Sequence, residues 1–119
     1  MNIVAIVQAR LGSKRLPNKV MKLINNVPMI EIVLKRLSKS KLVNNIVVAT
    51  SDDVEDIKLK KFINTLGYDC EQGSRDDVLN RYICVATKYN ADLIVRITGD
   101  CPLIDPELVD QVIKKFTKE

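Results

Sequence analysis

The chain has 119 residues, 46% hydrophobic and 29% charged, and a formal charge of +4 at pH 7. That is one domain with one core, too apolar for a disordered segment. The absence of histidine excludes Ser-His-Asp and Cys-His catalysis, imidazole metal ligands and a histidine pH switch.

Ile3 to Val7 is a near-continuous β-branched run, the pattern of a strand buried on both faces. It is too short for a signal peptide or a membrane span, so the chain is expected to be soluble and cytoplasmic, with no membrane partner. Residues 8 to 19 break the periodicity and form a loop. A helix is predicted from about Pro28, where Met29, Ile30, Val33, Leu34 and Leu37 recur at helical spacing. Ile46 to Ala49 is a second buried strand. Asp52 or Asp53 is expected to cap a helix over Val54 to Leu66, with Gly67 just past its end. Tyr68 to Glu71 reads as a short third strand. Asp76 to Tyr89 reads as a helix with Val78, Leu79, Tyr82, Ile83 and Ala86 on its apolar face; Arg81 is expected to face solvent and stands outside the site. Leu93 to Ile97 is a fourth strand, and Asp105-Pro106 is an acidic cap before the last helix.

Four βα units in succession predict an α/β fold, a doubly wound parallel sheet with helices on both faces. Ligands in such sheets bind beyond the carboxyl ends of the strands. The polar clusters fall there: residues 8–19, 50–53, 72–77 and 98–101. The charge is uneven as well. Residues 1–61 carry 12 basic and 5 acidic side chains, residues 62–119 carry 7 and 10, and the first acid is Glu31. The basic loop holds no aromatic residue, so it offers no stacking platform for nucleic acid; a compact anion such as a nucleoside triphosphate is the better partner. Cys70, Cys84 and Cys101 fit neither a disulfide framework nor a zinc site and are expected to be small buried apolar side chains.

Within the loop, Gly12 permits a backbone turn that aims N–H groups at an anion, Arg10 and Arg15 can fork onto phosphate oxygens, and Lys19 adds a point charge. The pattern is neither a P-loop nor a dinucleotide fingerprint. Charge alone leaves a solvated basic loop as an equal reading.

The string A-R-L-G-S-K-R-L-P-N-K after the first strand resembles the signature loop of the sugar cytidylyltransferases, which make CMP-activated sialic acid, KDO and related sugars. The spore-coat polysaccharide branch is the nearer match. V-A-T-S-D-D, G-S-R-D-D-V-L-N-R-Y and R-I-T-G-D-C-P-L-I follow in the family's order. The resemblance implies a Rossmann-like, nucleotide-diphospho-sugar transferase fold and a reaction in which a sugar hydroxyl attacks the α-phosphorus of CTP, giving CMP-sugar and pyrophosphate. It places the triphosphate on Arg10 and Lys19, the catalytic pair, in a loop shared with Ala9, Gly12, Ser13 and Arg15. It places the cytosine at Gly73 and Ser74, and Mg²⁺ on Asp100 of G-D-x-P. Asp52, Asp53 and Asp105 are read as helix caps, not metal ligands. The family's enzymes are longer and homodimeric. Residues 1–119 are therefore expected to be the N-terminal nucleotide-binding part of an incomplete domain, weakly active or inactive alone. Competing readings are a transferase for another nucleotide or sugar phosphate, and a non-catalytic or receiver-like module.

Overall fold

The computed structural model describes residues 1–12 and 19–117. Six strands and four helices follow one another: β1 (Ile3–Gln8), a 3₁₀ turn (Lys19–Met21), β2 (Leu23–Ile24), β3 (Val27–Pro28), α1 (Met29–Leu37), β4 (Asn45–Ser51), α2 (Asp56–Thr65), β5 (Asp69–Gly73), α3 (Val78–Lys88), β6 (Leu93–Thr98) and α4 (Pro106–Thr117). The four long strands form one sheet in the order β5-β4-β1-β6, and every pairing within it is parallel. The predicted βα units are all present. A small antiparallel hairpin, β2–β3, is added between the first strand and its helix. Its turn is Asn25-Asn26, both at positive φ, the conformation a two-residue hairpin loop needs and one that Asn tolerates.

β1 lies inside the sheet between β4 and β6, which explains its composition. Val4 to Val7 have no exposed surface. Ala5 and Val7 point to a core shared with Ile30, Leu34 and Leu37 of α1 and Leu59 and Ile63 of α2. Val4 and Ile6 point to the opposite face, against Tyr82 and Val85 of α3. Successive residues of one strand thus serve two cores, and that requires an unbroken apolar run. Val109 of α4 packs with the α1 and α2 side.

The helix ends show how local chemistry sets boundaries. α2 closes with Gly67 at φ 89°: Gly67 N–H donates to the Asn64 carbonyl (3.0 Å) and Tyr68 N–H to that of Ile63 (3.3 Å), the double bond of a Schellman end. Asp77 caps α3 by accepting from Asn80 N–H (2.9 Å), and Asp105 caps α4 by accepting from Glu107 N–H (2.9 Å). The start of α2 corrects an expectation. Neither Asp52 nor Asp53 caps it; residue 55 precedes the helix in helical conformation without a side-chain cap, because a turn closed by Asp56 N–H on the Asp53 carbonyl (3.0 Å) leads in. The acid that matters is Asp56, fully buried. It accepts from the Leu11 N–H (2.7 Å) and from the Ser51 hydroxyl, tying α2 and the end of β4 to the segment after β1.

A second acid, Asp110, docks α4. It accepts from the Ser40 hydroxyl and from the N–H groups of Lys41 (2.9 Å) and Leu42 (3.2 Å). Burial opposes its ionisation, but these donors outweigh that and hold its carboxyl below the usual range.

The predicted face of α3 is also corrected. Leu79 and Ile83 are exposed, whereas Arg81, Tyr82 and Val85 are buried; the inward stripe runs Val78, Arg81, Tyr82, Val85. Of the cysteines only Cys70 is buried, its thiol pushed up to about 12 by desolvation. Cys84 lies on the outer side of α3 and Cys101 in the exposed turn after β6, so the expectation of three buried cysteines fails for those two.

Two outcomes follow for stability. Replacing Asp56 by Ala leaves a buried N–H and a buried hydroxyl without an acceptor, and is expected to cost about 2–4 kcal/mol, measured by urea unfolding. Asp110 has a lowered native pKa, so its contribution is complete above the unfolded value and lost as pH falls through the native one. In Asp110→Asn, acid unfolding should show a shallower loss of stability below about pH 4 than in the parent.

Candidate functional site

A parallel sheet delivers all its strand carboxyl ends to one edge. β1 ends level with β6, Gln8 pairing with Thr98, and β4 ends level with β5, Ser51 pairing with Gly73. The chain segments that leave these four ends are therefore neighbours. Gln8, Ala9, Arg10, Lys19, Val20, Thr98, Gly99 and Asp100 line a common cleft. Residues separated by about 80–90 positions in sequence thus share one surface.

The close approach of β1 and β6 at this point depends on Gly99. Its N–H donates to the Gln8 carbonyl (2.8 Å). A β-carbon at residue 99 would stand 2.9 Å from the Ala9 side chain and 3.1 Å from both the Gln8 carbonyl oxygen and Ile30. Two of those neighbours are strand backbone or short core side chain, so the space is not recoverable. Ala9, buried and bonded through its N–H to the Ala49 carbonyl (3.2 Å), is the floor of the cleft.

Across the cleft, the Lys19 ammonium meets Asp100 Oδ2 at 3.1 Å. Lys19 is the first residue of the 3₁₀ turn that follows the loop, and Asp100 the second residue after β6. The ammonium holds the Asp100 carboxyl below the usual carboxylate range, against the partial burial that opposes ionisation. Both side chains are about 40% exposed, where an ion pair contributes little to stability. The pair is better placed to exchange partners than to hold the fold together.

Arg10, partly buried, flanks the same cleft. Asp56 fixes the backbone immediately after it through Leu11. Gly12 does not take a left-handed backbone; Gly67 alone does so among the described glycines. The space beside Gly12 is filled by the Glu55 carboxylate. Ser13 and Arg15 lie outside the described residues.

Gly73 and Ser74 are not in this cleft. Gly73 ends β5 and Ser74 follows it, on the far side of β4 from β1, two strand spacings or roughly 10 Å away. The Ser74 hydroxyl accepts from Asp77 N–H (3.2 Å) at the entry to α3. Gly73 borders a second hollow with Ala49, Gln72, Arg81 and Val85. Arg75, near Gly73, pairs with Asp76 (3.2 Å) and reaches Asp53 (3.8 Å).

Two residues of the site escape a reading from sequence. Asp56 stands in a run with Asp52, Asp53 and Glu55, and nothing in that run distinguishes the fully buried acid from the others. Arg81 was signalled, since it shares the i, i+3, i+4, i+7 stripe with Val78, Tyr82 and Val85, yet an arginine within a helix ordinarily marks the solvent side. Instead it is buried against Gly73.

Among the described residues, no three acids or cysteines converge as a metal cage, and no helix is long and apolar enough to cross a membrane.

Comparison with known proteins places this arrangement. The model of a family described as cytidylyltransferase matches residues 4–119. The spore coat polysaccharide biosynthesis protein SpsF of Bacillus subtilis is 36% identical over 117 residues, covering 95% of this chain and 49% of that protein. The structure of a cytidylyltransferase from Leptospira borgpetersenii superposes with a TM-score of 0.94 at 37% identity, over 100% of this chain and 50% of that one. A CMP:2-keto-3-deoxy-manno-octonic acid synthetase complexed with CTP superposes at 0.88, with 27% identity, over 100% and 48%. The chain thus spans about half the length of the relatives it matches. The sheet edge that gathers Arg10, Lys19 and Asp100 is the edge of a nucleotidyltransferase sheet, and the chain belongs to the cytidylyltransferase family.

Proposed function

We infer that this chain carries the nucleotide side of a cytidylyl transfer, CTP plus a sugar hydroxyl giving CMP-sugar and pyrophosphate. The observation that carries the reading is the convergence of Arg10, Lys19 and Asp100 on one cleft in a chain of this family. The acceptor oxygen attacks the α-phosphorus, the bond between the α- and β-phosphates breaks, pyrophosphate leaves with the electron pair, and the acceptor proton passes to solvent. Negative charge moves toward the leaving group, so the protein's task is to position the phosphates and neutralise that charge. No protein nucleophile or histidine base is required.

Arg10 offers a planar fork to two phosphate oxygens and Lys19 a single mobile charge. Before nucleotide enters, Lys19 is neutralised by Asp100. A triphosphate is the stronger acceptor, and its arrival draws Lys19 away and exposes the Asp100 carboxylate. That carboxylate fits Mg²⁺, which characteristically takes one or two protein carboxylates and completes its shell with phosphate oxygens and water. A lone acid beside a phosphate cleft suits such an ion better than one held by protein alone. When bound, Mg²⁺ would supply charge neutralisation on the phosphates. Ala9, Gly12, Ser13 and Arg15 are read as the residues that serve the phosphates, and Gly73 and Ser74 at the end of β5 as the cytosine end. A sugar acid is the favoured acceptor, since one neighbour is by name a synthetase of an activated octonic acid and one relative serves polysaccharide biosynthesis. The three free cysteines suit a cytoplasmic setting.

CTP with Mg²⁺ at about 100 times its Kd should stabilise the protein by about 2.7 kcal/mol, raising Tm by roughly 10 °C. ATP, GTP and UTP should do much less; equal shifts for all four would overturn the cytosine preference, and no shift would overturn the reading. By calorimetry, Lys19→Ala should weaken CTP binding about 10- to 100-fold. Asp100→Asn should abolish the gain that Mg²⁺ gives to CTP affinity while leaving metal-free binding equal or tighter, since one negative charge is gone from the phosphate cleft.

A further inference from the structure

Arg81 is 3% exposed, and its Nε and Nη1 atoms are sealed from solvent with no hydrogen-bond partner among the described residues. Such a group asks for an explanation, because arginine keeps its proton when buried and so cannot escape the penalty by neutralising. The carboxylates whose charge it senses do not bond to it: Asp56 is engaged by Leu11 and Ser51, and Asp52 is exposed. Burial weakens its hold on the proton, and the like charge of Arg10 weakens it further. The site also makes room for it: a β-carbon on Gly73 would lie 2.8 Å from Arg81 Cγ, so the glycine lets the stem run against the end of β5.

We propose that Arg81 is a second cation for the phosphate group of the bound nucleotide, kept buried and unpaired until a phosphate oxyanion enters between it and Arg10. This rests on the nucleotide reading above and adds a residue to it. Arg10 lies on the cleft beyond β1 and Arg81 in the hollow at the end of β5, on the same edge of the sheet; like charges so placed repel one another, and an anion between them turns both interactions favourable. A neutral base carbonyl would satisfy an N–H group and leave the repulsion in place, so a phosphate is the better occupant. The Nε–Nη2 and Nη1–Nη2 edges of the guanidinium are the two forks that grip phosphate bidentately, and the open Nε and Nη1 give each fork one free donor. With no hydrogen bond on Nε or Nη1 to break, a change of the outer torsions alone would aim one fork toward the β1 end of the sheet, where Arg10 lies.

The test is to follow the arginine side-chain Nε–H resonances of the protein by NMR, with Arg81 assigned from the spectrum of Arg81→Lys. CTP with Mg²⁺ should shift and saturate the Arg81 resonance together with that of Arg10, while cytidine should not move it. Inorganic phosphate should need at least tenfold more ligand than CTP. Equal response to cytidine, or saturation by inorganic phosphate at the CTP concentration, would overturn the assignment. If CTP moves Arg10 and leaves Arg81 unmoved, the proposal fails and the nucleotide reading stands; if CTP moves neither, both fail. In calorimetry Arg81→Met should lose about 10- to 100-fold in CTP affinity, with Arg81→Lys recovering part of it. Should Arg81→Met not fold, the resonance shifts of the unaltered protein still decide.

Discussion

Everything in this protein depends on β1 being an interior strand of a parallel sheet. An interior parallel strand is covered on both faces and bonded on both edges, so its residues are committed to packing. Only the segment that leaves its carboxyl end is free to carry charge, and it emerges flanked by the ends of β4 and β6. Residues 8–11, which begin the basic loop, are held at the sheet edge by backbone bonds from Ala9 to Ala49 and from Gly99 to Gln8, and by the buried Asp56 carboxylate on Leu11.

The electrostatics divide into two arrangements with different consequences. Lys19 and Asp100 are opposite charges, half in water and already paired; the pair is inexpensive to separate and can hand each partner to a ligand of opposite sign. Arg10 and Arg81 are like charges, one of them desolvated and with two nitrogens unpartnered among the described residues. The first arrangement is stable without ligand and responsive to it. The second is under stress without ligand, and such stress is where binding sites concentrate. That the two lie on the same edge of one sheet makes the edge receptive to a polyanion rather than merely basic.

Much of the architecture was legible in the sequence. Apolar runs marked β1, β4 and β6, Gly67 marked the end of α2, and Asp105-Pro106 marked the start of α4, because each signal depends on neighbours within a few residues. The motif strings likewise pointed to the right family, and the structure brings Lys19 of the first and Asp100 of the last to one cleft. The hairpin at Asn25-Asn26 was missed, because two-residue strands have too few positions to show a period. The α3 face was misread by about one position: Leu79 and Ile83 compete with Val78 and Val85 for the apolar stripe, and the wheel alone cannot choose between adjacent stripes. Tyr82 belongs to both, so the choice fell to packing against Val4, Ile6 and Val47.

The sequence by itself determined the order of elements, the parallel sheet and the chemistry of its loops, since hydrophobic period and turn residues are properties of short segments. Only the tertiary structure decided which charges act together. Asp56 became a backbone anchor because α2 packs beside the loop after β1. Gly99 became indispensable because β6 closes on Ala9. Arg81 became a buried cation because the sheet, through Gly73, drew its side of α3 inward. In each case the deciding distance joins residues far apart in the chain, and burial, not composition, sets what a charged side chain can do.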